Sequence, residues 1–415
     1  MKSARFILVC LLVAMAFSCK NDDDQYEIVN IAIPQAMSKA EFRNSVEILS
    51  PQSIGEAGKI YAYNNYIFVN DKYKGVHIIN NTNPEAPSEV AFLKIPGNVD
   101  ISVKENFLYA DSAIDLVVFD ISDINNIKIV NRLKDVFDIY DYQIPEDVSY
   151  ADYNGFDSNE DVIVGWEVKQ ERRLINTTDE RLIDIAVLSN ESANFDTSSV
   201  GKAGSLARFQ IVEDYLYTVT SHEMTIFNIG NLSQPTFVST KYSGNNIETL
   251  FQADGFLYIG STDGMYIYSL DNPSDPNYVS EFVHWTGCDP VIVDGNYAYL
   301  TIRSGNNCGE QESVLEIIDV SDKNTPMLAA SYGLDNPYGL GIKDNVLFIC
   351  DGSSGLKVFD RSDPINVELK QTFADINAKD VIPLTNSLLM IADNILYQYQ
   401  YYDSSIKLLS TYQMN

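Results

Sequence analysis

The chain has 415 residues and a formal charge of −30, because 58 acidic residues outnumber 28 basic ones. A nucleic-acid partner requires a basic stripe on the protein surface, and no run of basic residues occurs here, which argues against such a partner. The acidity is that of a soluble, self-repelling surface. With 26 Tyr, 19 Phe and 22 Gly and no long run of helix-forming residues, the composition favours an all-β fold.

The first 18 residues predict a secretory signal peptide. Residues 1–5 contain Lys2 and Arg5, and the apolar stretch 6–17 is too short to span a membrane as a helix. Small residues precede Cys19, so the segment 1–18 resembles a bacterial lipoprotein signal, whose new N-terminal cysteine is lipidated. Acyl chains on Cys19 are therefore the expected attachment to a membrane, and ordinary secretion is the alternative.

The acidic residues that follow Cys19 bear on the location of the protein. Residues 20–24 read Lys-Asn-Asp-Asp-Asp and resemble the tag that directs lipoproteins of the Bacteroides group to the outer face of the outer membrane. The resemblance implies a lipid-anchored protein of the outer membrane that is exposed at the cell surface. A solvated linker has the same composition, so the periplasmic side is the alternative. We treat residues 19–57 as a lipidated acidic linker and N-terminal segment.

From residue 58 onward the sequence repeats. A turn residue followed by an apolar pair, and usually by an aromatic residue, recurs at Asn65, Asn106, Asp214, Gly255, Asn296, Asn345 and Asn386. Four of the intervals are 41 residues, and the other two are 108 and 49. A period of about 40 residues built from short strands is typical of a β-propeller with one four-stranded blade per repeat. The sequence therefore predicts seven antiparallel blades over residues 58–415, or eight if the insertion 138–204 contains another.

One repeat shows how the strands are assigned. Apolar patterning marks strands at 249–253, 256–260, 265–269 and 278–283, and Asp254-Gly255 provides the tight hairpin turn between the first two. Five of the seven third strands end in Asp or Asn. Such a side chain bonds the backbone amide two residues further on, so we interpret these residues as turn caps and not as metal ligands or catalytic groups.

Three of the repeats resemble a known family. Residues 116–123 (LVVFDISD), 315–322 (LEIIDVSD) and 356–360 (LKVFD) are similar to the repeats of the LVIVD family, extracellular bacterial and archaeal proteins regarded as β-propellers. The resemblance covers roughly residues 58–415. It implies a fold and an extracellular location, but no catalytic residue, because the family comes without an established activity.

A circular array of blades must be closed, and two segments break the repeat. Residues 25–57 are expected to cross the seam or to add a strand there, with 26–33 and 46–49 as the candidate strands. The insertion 138–204 carries one convincing strand, at 162–168, and is predicted to be an elaborated loop. It lies on the same face as the loop 303–313, and elaborated loops on one face of a rigid scaffold are where binding sites are usually built.

The innermost strands begin on that face, so their first side chains are expected to surround the mouth of the central channel. Charged residues predominate at these positions, which are Lys59, Asp100, Arg208, Glu248, Asp289, Tyr338, Lys379 and Asp380. Folding does not require charge there. The ring is therefore predicted to bind a polar ligand, a glycan or a protein.

Cysteines and histidines are few. Cys288 and Cys308 fall on the same face of the fifth blade, in an oxidising compartment, and are predicted to form a disulfide worth about 3 kcal/mol. Cys350 lies within an apolar run and is predicted to be buried. The three histidines, His77, His222 and His284, lack the spacing of a metal site.

Taken together, these patterns predict a cell-surface binding or interaction module. No nucleophile elbow, phosphate loop or Cys-x-x-Cys occurs, so we assign no catalytic residue, no metal ligand and no cofactor, and the sequence leans against an enzyme. The alternative is a glycosidase- or lactonase-like propeller hydrolase that uses the carboxylates of the channel mouth, with calcium as a conceivable cofactor.

Overall fold

The computed structural model describes residues 26–137, 144–145, 148–174, 200–283, 290–303, 312–402 and 405–414. The predicted all-β class is confirmed, because a single short helix, α1 (Lys39–Asn44), accompanies 33 strands within these residues. Each of the seven repeats forms an antiparallel run of four consecutive strands, and we number these sheets 1 to 7 in chain order.

The strands β1 (Tyr26–Ser38) and β2 (Glu47–Leu49) precede sheet 1 in the chain. Sheet 1 contains β3 (Ala57–Tyr63), β4 (Tyr66–Asp71), β5 (Gly75–Asn80) and β6 (Ser88–Lys94), and sheet 2 contains β7 (Ile101–Lys104), β8 (Phe107–Ser112), β9 (Asp115–Asp120) and β10 (Lys128–Leu133). The insertion contributes β11 (Tyr150–Ala151), β12 (Asp161–Leu174) and β13 (Lys202–Ala203).

The remaining sheets follow the same order. Sheet 3 contains β14 (Phe209–Val212), β15 (Tyr215–Val219), β16 (Glu223–Asn228) and β17 (Thr236–Tyr242), and sheet 4 contains β18 (Ile247–Ala253), β19 (Phe256–Ser261), β20 (Gly264–Ser269) and β21 (Asn277–Val283). Sheet 5 contains β22 (Val291–Asp294), β23 (Tyr297–Ile302), β24 (Val314–Asp319) and β25 (Met327–Gly333). Sheet 6 contains β26 (Leu340–Lys343), β27 (Val346–Cys350), β28 (Leu356–Asp360) and β29 (Glu368–Phe373), and sheet 7 contains β30 (Ala378–Pro383), β31 (Ser387–Ala392), β32 (Ile395–Tyr402) and β33 (Ser405–Gln413).

The middle strands of the sheets are apolar on both faces, because neighbouring sheets pack against each other. In β19 every residue after Phe256 is buried, and in β27 every residue after Val346 is buried. The outermost strands β17 and β25 contain only exposed and half-buried residues, since they form the rim. The predicted burial of Cys350 is confirmed.

Turn chemistry follows the prediction. The side chains of Asp120, Asp319 and Asp360 each accept the backbone N–H two residues further on, at 2.8–2.9 Å. In the hairpin between β18 and β19, Asp254 and Gly255 have φ angles of 50° and 79°, the left-handed values that a type I′ turn requires. The carboxylates of Asp120, Asp319 and Asp360 are therefore turn caps.

Tyrosines tie each of several sheets to the next one. Tyr109 of sheet 2 donates its hydroxyl to the carbonyl of Leu232 in sheet 3 at 2.8 Å. Tyr217 of sheet 3 donates in the same way to the carbonyl of Pro273 in sheet 4 at 2.7 Å. The aromatic residue of the repeat thus packs in the core and satisfies its hydroxyl on the neighbouring turn.

Sheet 7 meets sheet 1. The innermost strand of every sheet contacts the innermost strand of the next sheet, and β30 also contacts β3. Gln398 of sheet 7 and Asn81 of sheet 1 exchange side-chain hydrogen bonds of 2.7 and 3.1 Å. Of the two candidate seam strands, β2 extends sheet 1 by pairing with β6, whereas β1 pairs with strands of the insertion.

A three-stranded sheet in the order β11-β1-β12, together with α1, forms what we call the cap. Phe42 of α1 is buried beside Ile114 in the turn between β8 and β9. Arg43 donates two hydrogen bonds of 2.9 Å to Asp115 at the start of β9. The cap therefore covers the end of sheet 2 that faces the channel mouth. The strand predicted at 162–168 lies within β12, and the described part of the insertion contains no four-stranded run.

The last part of the insertion differs from the loop predicted for it. Residues 200–207, which we call the plug, run along the inner side of the innermost strands, where β13 pairs with β3. Ser205 N donates to Asp380 Oδ1 of sheet 7 at 3.0 Å, and Ser205 Oγ accepts from Leu340 N of sheet 6 at 2.6 Å. Because the plug occupies the channel, the cavity that remains beside it measures about 30 Å³, which is room for about one or two water molecules.

Candidate functional site

The predicted ring at the channel mouth is a buried polar layer. Lys59, Asp100, Arg208, Glu248 and Asp380 are all at most 6% exposed. Tyr338 and Lys379 are half-buried, and Asp289 lies outside the described residues. Charged side chains buried this deeply require nearby opposite charges or hydrogen bonds. The groups that supply these contacts therefore determine what the ring can bind.

The first group of mouth residues centres on Asp100, just before β7. Its Oδ2 accepts from Lys59 Nζ at 3.2 Å and from the backbone N–H groups of Arg208 and Phe209. Burial lowers the pKa of Lys59, the charge of Asp100 opposes that shift, and the positive charge of Arg208 adds to it. One carboxylate thus joins sheets 1, 2 and 3 and holds two cations close to each other.

The backbone N–H of Arg208 is hydrogen-bonded to Asp100, whereas two of its side-chain donors are not hydrogen-bonded within the described residues. Both Nε and Nη2 are buried and have no hydrogen-bond acceptor in the described part of the chain. Burial raises the pKa of Tyr73, and the positive charge of Arg208 opposes that rise, so the guanidinium lies near this phenol in the turn between β4 and β5. Buried donors without an acceptor are uncommon, and among the described arginines Arg361 shares this feature.

A second group surrounds Tyr338, just before β26. The Nζ of Lys379 lies 3.5 Å from the centre of the ring, and the Cζ of Arg303 lies 4.4 Å from it. Arg303 Nη1 also donates to Tyr338 Oη at 3.2 Å. The ring of Tyr338 therefore makes cation–π contacts with both cations.

Two mouth carboxyls are held partly protonated near neutral pH. Burial raises the pKa of Asp111 to about 7, against the opposing effect of the amides of Asp100 and Val99. Burial likewise raises the pKa of Asp380 to about 7, although it accepts from Val381 N and from Ser205 of the plug. Near neutral pH the mouth therefore carries less negative charge than its composition suggests.

Asp380 should make the protein less stable as the pH rises. Since its pKa is about 7 in the folded chain against an ordinary value of 3.8, the folded state holds the proton more tightly between these values. The free energy of unfolding then falls as the pH increases from about 4 to about 7, by up to about 4 kcal/mol for this group. Asp380→Asn should remove that loss, so that the variant gains on the wild type by up to this amount at pH 8.

Urea unfolding at a series of pH values measures this difference. Asp254→Asn is the matched control, because it removes the same formal charge from an exposed turn at the other end of the sheets. Parallel pH profiles for Asp380→Asn and the wild type would show that Asp380 is ionised in the folded protein at neutral pH.

Some residues of the mouth were not identified from the sequence. Tyr73 and Asp111 lie in the turn after a second strand and at the end of one, where the repeat suggested only turn chemistry, whereas Arg303 begins the loop 303–313 that was predicted to lie on the binding face. Their common position beside the innermost strands is the one signal that could have found them. The plug had a weaker signal, namely Gly201 and Gly204 immediately before the third repeat.

The other predicted sites can be placed only in part. Cys19, Cys288, Cys308 and His284 lie outside the described residues, and so does most of the loop 303–313. His222 is exposed. His77 is buried, and its Nδ1 lies 2.8 Å from Glu89 Oε1. Burial alone would lower the pKa of His77, but its hydrogen bonds to Asp71 and Glu89 outweigh burial and raise that pKa.

Two further observations concern metals and membranes. Among the residues that the structure describes, no three His, Cys, Asp or Glu side chains converge in a way that could hold a metal ion. Within the same residues, no helix has the length and apolar character needed to cross a membrane.

Repeated four-stranded antiparallel sheets whose innermost strands contact one another define a β-propeller class of protein. The LVIVD repeat model matches this chain at residues 54–92, 97–134, 201–241 and 288–333. The chain therefore contains four LVIVD repeats, and the resemblance noted from its sequence is confirmed.

Solved structures show the same fold at low sequence identity. A functionally unknown protein from Desulfotomaculum acetoxidans DSM 771 is 12% identical, with a TM-score of 0.54 over 83% of this chain and 95% of that one. A protein from Lactobacillus plantarum is 9% identical, with a TM-score of 0.50 over 76% of this chain and 84% of that one. No curated protein matches the chain. These similarities concern the fold alone.

Proposed function

We propose that the seven sheets are the blades of one closed propeller and that the protein is a binding module which acts through the mouth face. The contact of β30 with β3 and the paired side chains of Gln398 and Asn81 support closure between sheets 7 and 1. This closure needs no strand exchanged between the two ends of the repeat array.

One observation carries the binding role, namely the charge at the channel mouth. Four cationic side chains, Lys59, Arg208, Arg303 and Lys379, gather there although the whole chain has a formal charge of −30. The cap lies on this face, and the plug reaches it at Ser205 from Val200, which bridges Lys104 at the other end of β7. Concentrated charge beneath elaborated segments supports a site for a polar ligand, a glycan or a protein.

The hydrolase alternative gains no comparable support. Asp100 is engaged by Lys59 and by backbone amides, and Asp111 and Asp380 accept backbone amides in different sheets. All three of these carboxylates are therefore engaged by groups of the protein itself.

The proposed location is the outer membrane, with a lipid on Cys19 and the propeller on the cell surface. The signal-like residues 1–18 and the acidic residues that follow Cys19 support it. Metabolic labelling with a fatty acid tests the anchor, because label should enter the wild-type chain and be absent from Cys19→Ser.

Binding of the purified protein to glycan and protein arrays tests the proposed role. Lys379→Ala should weaken any specific binding by at least about tenfold, or about 1.4 kcal/mol, because it removes an accessible mouth cation. Lys343→Ala is the matched control, since Lys343 also lies over a tyrosine ring, that of Tyr401 at 5.5 Å, but at the opposite face. Equal binding by both variants would rule out the mouth as the site.

A further inference from the structure

We propose that the channel mouth binds an oxyanion, a carboxylate or a phosphate or sulfate group of a larger ligand, on the idle edge of the Arg208 guanidinium. This inference rests on the proposed binding role of the mouth and names the chemical group that the site recognises. The observation behind it is that Nε and Nη2 are both buried donors, and neither has an acceptor among the described residues.

The geometry of the guanidinium favours an anion with two oxygens. Nε and Nη2 lie on one edge of the planar group, and their N–H bonds point in parallel. Carboxylate, phosphate and sulfate groups place two oxygens at the matching separation, which gives the bidentate pairing characteristic of arginine.

The surroundings of Arg208 favour a negative guest over a neutral one. Lys59 is close enough for the charge of Arg208 to lower its pKa, and the two cations share one carboxylate, that of Asp100. These three groups carry one positive charge when Lys59 is protonated, and the nearby carboxyl of Asp111 offsets it only in part, because burial raises the pKa of Asp111 to about 7. An incoming oxyanion would neutralise it in a buried place where an unbalanced charge is costly.

The protein itself keeps Arg208 ready for such a partner. Its backbone N–H is bound to Asp100 Oδ2, and the carbonyl of the preceding Ala207 accepts from Leu250 N at 3.1 Å. These contacts anchor the residue to sheets 2 and 4 and leave the side-chain donors available. Preorganised donors of this kind reduce the entropy lost on binding.

Titration calorimetry of the purified full protein with sodium acetate, sodium phosphate and sodium sulfate tests the proposal at constant ionic strength. At least one of these salts should bind saturably to the wild type. Arg208→Lys keeps the charge but loses the two-donor edge, so its affinity should fall by at least about tenfold. Preference for acetate indicates a carboxylate ligand, and preference for phosphate or sulfate indicates an ester of those acids.

Arg361→Lys is the control for this substitution. Arg361 is also 6% exposed and has two buried donors without an acceptor among the described residues, Nε and Nη1, but these do not share an edge of the guanidinium, and its Nη2 pairs with Asp294 at the opposite face. It should bind the anions as the wild type does. Should Arg208→Lys fail to fold, the Nε–H resonance of Arg208 in the wild type provides the second measurement, because it must shift with the same saturation curve.

Three results would overturn the proposal: no saturable binding of any anion, equal affinity in Arg208→Lys, or an Arg208 resonance that does not respond. Its failure can be told apart from failure of the binding role itself. If arrays reveal a neutral ligand whose binding depends on Lys379 and is indifferent to added anions, the binding role stands and the oxyanion is wrong. If anions bind at Arg208 but no array ligand binds the protein, the oxyanion site stands and the proposed binding role is wrong.

Discussion

Gly204→Ala should destabilise the protein by more than about 3 kcal/mol and displace the plug from the channel. A Cβ at Gly204 would lie 1.8 Å from Oδ2 and 2.4 Å from Cγ of Asp380. That carboxyl cannot step aside, because it is fully buried and bound to Val381 N and Ser205 N. The plug must therefore shift, with loss of its hydrogen bonds to sheets 1, 6 and 7. Urea unfolding measures the loss of stability.

Hydrogen exchange shows whether the plug itself moves. The amides of Gly204 and Ser205, which are bonded to Ile60 O and Asp380 Oδ1 in the wild type, should exchange faster in the variant. Gly333→Ala is the matched control, because a Cβ at that exposed strand position meets no atom within 4 Å. An unchanged exchange rate at Ser205 together with normal stability would mean that the plug is not packed as described.

Asp115→Asn should release the cap and cost about 3 kcal/mol. Asp115 is fully buried and accepts from Arg43, from Arg132 and from Asp135 N. Although burial works against ionisation, these bonds hold the pKa of Asp115 below its usual value. The amide of asparagine would turn a donor towards an arginine, leave Arg132 without its counter-charge and leave Arg43 with only the exposed Asp135. Chemical denaturation and exchange of the α1 amides measure the effect.

Asp135→Asn is the comparison that isolates burial. Asp135 pairs with the same Arg43 at 2.8 Å, but its side chain is 58% exposed. An exposed ion pair contributes at most about 1 kcal/mol, so this variant should unfold almost as the wild type does. Similar losses for both substitutions would mean that the charge of Arg43, and not the buried carboxylate, anchors the cap.

The regular part of this protein could be predicted because its rules are local. The Asp254-Gly255 turn requires positive φ at both positions, and the strands on either side then pair in one register from Ala253 and Phe256 to Thr249 and Gly260. The caps at Asp319 and Asp360 reach only two residues along the chain. Each of these signals is complete within one repeat and recurs at a constant spacing.

The candidate site was predicted as a set of positions, without its chemistry. Strand order alone placed Lys59, Asp100 and Arg208 at the start of innermost strands. Their burial and pairing, together with the position of Arg303 beside Tyr338, depend on how separate sheets approach each other. No local pattern encodes that approach.

What the amino-acid sequence specifies is therefore the repeat, from hydrophobic patterning and turn chemistry that act over a few residues. The tertiary structure alone decides what the irregular segments do. The plug is held by Ser205 and Asp380, which lie 175 residues apart, and the cap by Arg43 and Asp115, which lie 72 apart. Such contacts form only after the sheets have assembled, because their energies depend on burial that the assembled fold creates.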